Sequence, residues 1–175
     1  MSAYALNIGA YAHLSNRTRS RMNAEARPRA EDCNCLAVRQ AARHVTQFYD
    51  QVLAPTGLRT TQFSILAKLR GSGPLTIHAL AAALVMDRTT LGRNILPLER
   101  DGLIAVEQGA RDRRNKELHL TPAGIERVRT GIKLWAKAQN RFEAAFGATR
   151  SAELRALLRA LSATDLGGKA VGAED

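Results

Sequence analysis

Residues 76–101, TIHALAAALVMDRTTLGRNILPLERD, constrain the fold more than any other stretch of this chain. Two short helical patterns lie on either side of the dipeptide Val85-Met86, and a capping residue precedes each. Thr76 stands before the first, which runs through Leu84, and Asp87 stands before the second, which runs to about Arg100. An oxygen at such a position accepts the free N–H groups of the first turn, so both helices have defined starts. The Ala-rich middle of the first helix permits close helix approach. The second stops at Asp101-Gly102 and contains Pro97, which removes one backbone hydrogen bond and is predicted to kink its later part. Two short helices joined by so tight a turn form a helix-turn-helix.

A hairpin pattern comes directly after the pair. Leu103-Ile104-Ala105-Val106 is strand-like, and Leu118 and Leu120 alternate with Glu117 and His119. Between the two lies a turn that carries Arg111, Arg113 and Arg114 around Asp112. Hairpin tips usually take Gly, Asn or Asp and mixed charge, so this concentration of arginine needs a reason. Thr121 then caps a long helix with Pro122 in its first position. Along it Ile125, Val128, Ile132, Trp135, Phe142 and Phe146 keep a near-heptad spacing, interrupted by the polar Gln139. A last helix comes after GATRS, with Leu154, Leu157, Leu158 and Leu161 on one side.

Upstream, Val38, Ala42, Val45, Tyr49 and Val52 mark a helix over Cys33–Leu53, ended by Pro55 and Gly57. A Thr60-Thr61 start leads into Phe63, Leu66 and Leu69, another amphipathic helix closed by GSGP. The expected fold is therefore mainly α with a small β-hairpin wing: a winged helix-turn-helix joined to a helical dimerisation region. Its expected limits are 32–166, with the winged helix at about 58–121 and dimerisation helices at about 33–54 and 122–166. Residues 1–31 read as a basic, partly disordered extension, and 167–175 as a frayed tail.

Charge points to the partner. The 175 residues carry 26 Lys+Arg against 16 Asp+Glu, a formal net charge of +10, which suits a polyanion. In a helix-turn-helix the second helix enters the major groove of double-stranded DNA with its first turns at base edges. Here those turns offer Arg88, Thr89, Thr90, Arg93 and Asn94, long donors, small hydroxyls and one amide suited to guanine, phosphate and adenine. The wing tip, with Arg111, Asp112, Arg113 and Arg114, would reach an adjacent minor groove, where arginine is favoured by concentrated negative potential. No apolar run reaches 18 residues and the N-terminus lacks a signal-peptide pattern, so a cytoplasmic chain without a membrane partner is expected. Cys33 and Cys35 fit reduced thiols. No phosphate loop, nucleophile elbow or His/Glu metal motif occurs, so neither an enzyme nor a cofactor or metal is expected.

The stretch DRTTLGRNILPLERDGLIAVEQGARDRRNKELHLTPAG resembles the signature region of the MarR transcription regulators. The family's wing pattern of Asp-x-Arg, five residues and Leu-Thr is met by Asp112-Arg113-Arg114, Asn115 to His119 and Leu120-Thr121. The resemblance covers roughly residues 33–165. It implies a homodimeric regulator, more often repressor than activator, on a pseudo-palindromic operator, released by a small, often phenolic or aromatic effector. Arg39, Arg43 and His44 are candidate anion-holding residues for such an effector. The first helix is also similar to that of the organic-hydroperoxide-sensing branch. Cys35 stands where that branch has its reactive cysteine and Tyr49 where it has a supporting tyrosine, while Arg39 replaces a second tyrosine. Two alternatives to an effector-released repressor therefore stay open, a thiol sensor acting through Cys35 and a sequence-indifferent architectural DNA-binding protein.

Overall fold

An aspartate on one helix sets the start of the next. In a computed structural model that describes residues 29–109 and 115–167, helix α1 spans Asn34–Leu53 and α2 spans Thr60–Ser72. The Asp50 carboxylate accepts the Thr60 N–H at 2.6 Å and the Thr60 hydroxyl at 2.7 Å, filling the capping role at the head of α2. Burial works against ionisation of Asp50, but these bonds and Arg59 hold its carboxyl below the usual range. Between the helices, Ala54–Thr56 make a single 3-10 turn. Thr56 donates to the Leu53 carbonyl at 2.7 Å and accepts the Leu58 N–H at 3.1 Å.

Two compact units divide after Ala42. In the first, a 3-10 turn at Ala30–Asp32 precedes α1, and Cys33 caps it: its sulfur accepts the Leu36 N–H at 3.4 Å. The second unit, from Arg43, holds the remaining elements. Strand β1 is Leu75–Thr76, and α3 (Ile77–Leu84) starts where the Thr76 hydroxyl accepts the Ala79 N–H at 3.1 Å. Helix α4 (Arg88–Arg100) starts where Asp87 accepts the Thr90 N–H at 2.7 Å, and it runs on through Pro97. Strands β2 (Ile104–Gln108) and β3 (Lys116–Leu120) form the hairpin, in register from Ile104 opposite Leu120 to Gln108 opposite Lys116. The sheet has three strands in the order β1-β3-β2, because Leu75 and Thr76 pair with Leu118 and Glu117. A two-residue strand has no alternation to read, so only the hairpin was visible in the sequence.

The core lies where α2, α3 and α4 meet the sheet. Phe63, Leu66 and Leu69 from α2 join Leu80 from α3, Leu91, Ile95 and Leu98 from α4, and Ile104 and Leu118 from the strands. Each fully buried aliphatic side chain contributes about 1.5–3 kcal/mol relative to exposure. Helix α5 (Pro122–Phe146) is capped by Thr121, whose hydroxyl accepts the Gly124 N–H at 3.0 Å, and α6 is Ala148–Ala163. Of the apolar stripe on α5, Val128 is fully buried in this core. Ile125, Ile132 and Trp135 are exposed, as are Leu157, Leu158 and Leu161 on α6. No helix among the described residues is long and apolar enough to cross a membrane.

Two backbone positions carry consequences. A Cβ on Gly124 would stand 2.0 Å from the Leu103 carbonyl oxygen, so α5 reaches the hairpin only because that side chain is missing. Gly124→Ala is expected to destabilise the fold by about 2–4 kcal/mol in urea unfolding; an unchanged midpoint would contradict this close approach. Val85 sits in the turn between α3 and α4 at φ 53, left-handed backbone that a β-branched residue adopts at a cost. Val85→Gly is expected to raise stability by about 0.5–1 kcal/mol in the same measurement, with a loss of stability as the contrary result.

Candidate nucleic-acid interface

Helix α4 is held by one face and shows another. Leu91, Ile95 and Leu98 are buried, while Arg88, Thr89, Thr90 and Arg93 are exposed. The apolar spacing alone sets this division, since residues three and four apart share a face. Asn94 is half-buried, and its side-chain N–H donates to the Thr90 carbonyl at 2.8 Å. To meet a base edge, this amide has to release a bond within its own helix. Hydrogen bonds from the Thr90 hydroxyl and N–H hold the Asp87 carboxyl below its usual range.

The hairpin stem stands beside α4. Residues 110–114 lie outside the described residues, and with them Arg111, Asp112, Arg113 and Arg114. Both ends of that segment are joined, because the Gly109 N–H donates to the Asn115 carbonyl at 2.7 Å. Between α4 and the stem runs an open groove of about 480 Å³, lined by Ile77, Gly92, Ile95, Leu96 and Val106, with Glu99, Glu107, Gln108 and Lys116 also on it. Across the stem Glu107 faces Glu117 directly, a like-charged pair. His119 Nε2 lies 3.9 Å from Glu107 and 3.7 Å from Glu117 and has no hydrogen-bond partner among the described residues. Sequence reasoning passed over this cluster, although the strand register implied by the hairpin brings it together.

The candidate effector and redox residues all lie on α1. In the first unit Cys35 is in the first turn, and both it and Cys33 are exposed free thiols; Arg39 is exposed as well. In the second unit Arg43 and His44 are exposed and Tyr49 is half-buried. The Tyr49 hydroxyl donates to Gln139 Oε1 on α5. Burial pushes its pKa up, with Arg155 opposing and Glu143 adding to the shift. Arg155 and Glu143 pair at 3.0 Å. Gln139 was legible as the polar interruption in an apolar stripe; its tyrosine partner, ninety positions earlier, was not. A second depression, of about 520 Å³, is lined by Gln47, Asp50, Gln51, Ala54, Gly57, Leu58 and Arg59; Arg43, His44 and Tyr49 are not among its walls. No group of three His, Cys, Asp or Glu side chains among the described residues is placed to hold a metal ion.

The MarR family model matches residues 58–116, from just ahead of α2 to the first residue of β3. The structure of the M. tuberculosis transcriptional regulator MosR in complex with DNA is 38% identical, with a TM-score of 0.65. That match covers 77% of this chain and 99% of MosR. The chain belongs to the MarR family. Shorter matches join this MarR-family chain to two curated relatives. One is the HTH-type transcriptional regulator YwoH of Bacillus subtilis, 34% identical over 84 residues, 48% of this chain and 61% of YwoH. The other is a putative transcriptional regulatory protein for the hcr operon of Thauera aromatica, 30% identical over 80 residues, 46% of this chain and 48% of that protein. The chain thus spans about half to three-fifths of the length of these two relatives. MarR-family proteins are transcription regulators and not enzymes.

The Asp87 cap makes the start of α4 sensitive to acid. Its lowered folded pKa means that the stabilisation is complete above the ordinary carboxylate range and is lost as pH falls through the folded value. Asp87→Asn retains a capping oxygen without the titration. Its unfolding midpoint is therefore expected to fall less than that of the wild type when the pH is lowered below about 4. Parallel acid limbs for the two proteins would show that Asp87 contributes nothing to them.

Proposed function

We propose that this MarR-family chain is a homodimeric, sequence-specific DNA-binding repressor that leaves a pseudo-palindromic operator when a small effector binds. The observation that carries the reading is the exposed Arg88-Thr89-Thr90-Arg93 face of a capped helix, beside a hairpin whose tip holds three arginines. Arg88 and Arg93 would serve guanine or phosphate, Thr89 and Thr90 phosphate or base edges, and Asn94 an adenine once it leaves Thr90. Arg111, Arg113 and Arg114 would track the minor groove, with Asp112 orienting the tip. MosR, at 38% identity, has been solved with DNA bound, which supports the same partner here.

Residues 58–121 form the reading module in this proposal, and 33–54 with 122–166 form the dimerisation region. Support for the dimer comes from the exposed apolar side chains of α5 and α6, led by Trp135, Leu157 and Leu158. A second copy would cover them. Two reading helices related by a two-fold axis then meet half-sites one helical turn apart, about 34–36 Å. An aromatic or phenolic effector fits the family and the basic Arg39, Arg43 and His44 on α1. A thiol input is the second reading, favoured by the exposure of Cys33 just ahead of α1 and of Cys35 in its first turn. Loss of DNA binding after mild organic hydroperoxide, abolished in Cys35→Ser, would select it over the aromatic effector.

Two measurements test the proposal. Arg114→Ala is expected to weaken operator binding by about 1–3 kcal/mol and to flatten the dependence of log K on log salt. Unchanged affinity and slope would remove the wing from the interface. Leu158→Glu is expected to weaken dimerisation by about 30-fold or more in sedimentation equilibrium, since a charge then faces an apolar contact. A wild-type chain that sediments as a monomer at every concentration would contradict the dimer.

A further inference from the structure

Gly92 lies inside α4, five residues into a helix whose buried face is already complete. Glycine in a helix interior is less stable than alanine, so a fold that retains it needs a local reason. For two other helical glycines the reason is inside the protein: Cβ atoms on Gly124 and Gly131 would meet the Leu103 carbonyl at 2.0 Å and the Phe63 ring at 2.7 Å. At Gly92 an added Cβ would meet nothing within 4 Å, and the backbone is ordinary helix. Neither packing nor backbone geometry asks for glycine there.

One turn further on, Leu96 is 65% exposed and lines the same groove between α4 and the hairpin stem as Gly92 does. An uncovered leucine next to a missing side chain makes an apolar notch on the helix that carries Arg88 and Arg93. We infer that this notch receives the 5-methyl group of a thymine in the bound duplex, so that Gly92 and Leu96 determine sequence preference. The methyl is the apolar group that a base pair presents in the major groove, and only the A·T pair has it. A phosphate is a poorer occupant, because Glu99 and Glu107 on the same groove outnumber Lys116. Gly92 gives the base edge its room and Leu96 supplies the contact surface. The inference rests on the DNA-binding reading of α4.

One experiment separates the two. A duplex selected by the wild-type protein from a randomised pool serves as the specific probe, and an unselected duplex of equal length as the control. Gly92→Ala is expected to bind the selected duplex about 10-fold or more weakly and the control within about twofold of wild type, while its Tm rises by a few degrees. Gly92→Ser should show the same loss of specific binding. Replacing thymines one at a time with deoxyuridine, which removes only the methyl, should weaken wild-type binding about 5-fold or more at one position of each half-site. Leu96→Ala should be indifferent to that replacement. Wild-type affinity in Gly92→Ala, or indifference of the wild type to every thymine replaced, overturns the inference while leaving the DNA-binding reading intact. A pool that yields no enriched sequence overturns the DNA-binding reading itself.

Discussion

The apolar seam of α4 is the constraint on which the rest depends. Leu91, Ile95 and Leu98 are packed with Phe63, Leu66, Leu80 and Leu118, and their burial fixes the rotation of the helix about its axis. Rotating α4 by one residue would turn about 100° of its surface, burying Glu99 in one direction or Thr90 and Asn94 in the other, and exposing leucines. Unpaired charges and polar groups are expensive to bury, so the seam has one stable setting. In that setting Arg88, Thr89, Thr90 and Arg93 face outward together. Caps at Thr76 and Asp87 then fix where each helix of the pair begins. The hairpin adds its own restraint, with the Leu103 carbonyl accepting the Thr121 N–H at 3.2 Å against the glycine-lined start of α5.

Much of this was legible because the signals are local. Thr76, Asp87 and Thr121 were each readable as a capping residue ahead of an apolar pattern, and each accepts the N–H three positions on. The β2–β3 hairpin could be read from alternation around an arginine-rich turn. What escaped was non-local or too short. Asp50 heads α2 from ten residues away, and β1 is only two residues long. Val128 shares a periodic stripe with Ile125 and Ile132, yet it lies in the core while they are exposed. Periodicity identifies a face but does not say which partner covers it.

The candidate site divides in the same way. Arg88, Thr89, Thr90 and Arg93 stand on one exposed surface, as their spacing at the head of a capped helix implies. Asn94 shares the helix but has turned back to Thr90, a choice between two acceptors that sequence cannot rank. Glu107, Glu117 and His119 gather in the hairpin stem, a cluster set by the strand register. The facing carboxylates make the stem a poorer surface for a polyanion than the exposed arginines of α4. On α1, the bond between Tyr49 and Gln139 ties one candidate effector residue to the long helix, so an input there has a physical route into α5.

The central claim is that two copies of α4 read two half-sites on one duplex. Hydroxyl-radical footprinting of the full-length protein on its own upstream DNA tests it most directly. The expected result is protected patches on one face of the duplex, centred about 10–10.5 base pairs apart, that appear together as protein is added. Uniform protection that spreads along the duplex without preferred positions would contradict it and identify a sequence-indifferent coating protein instead.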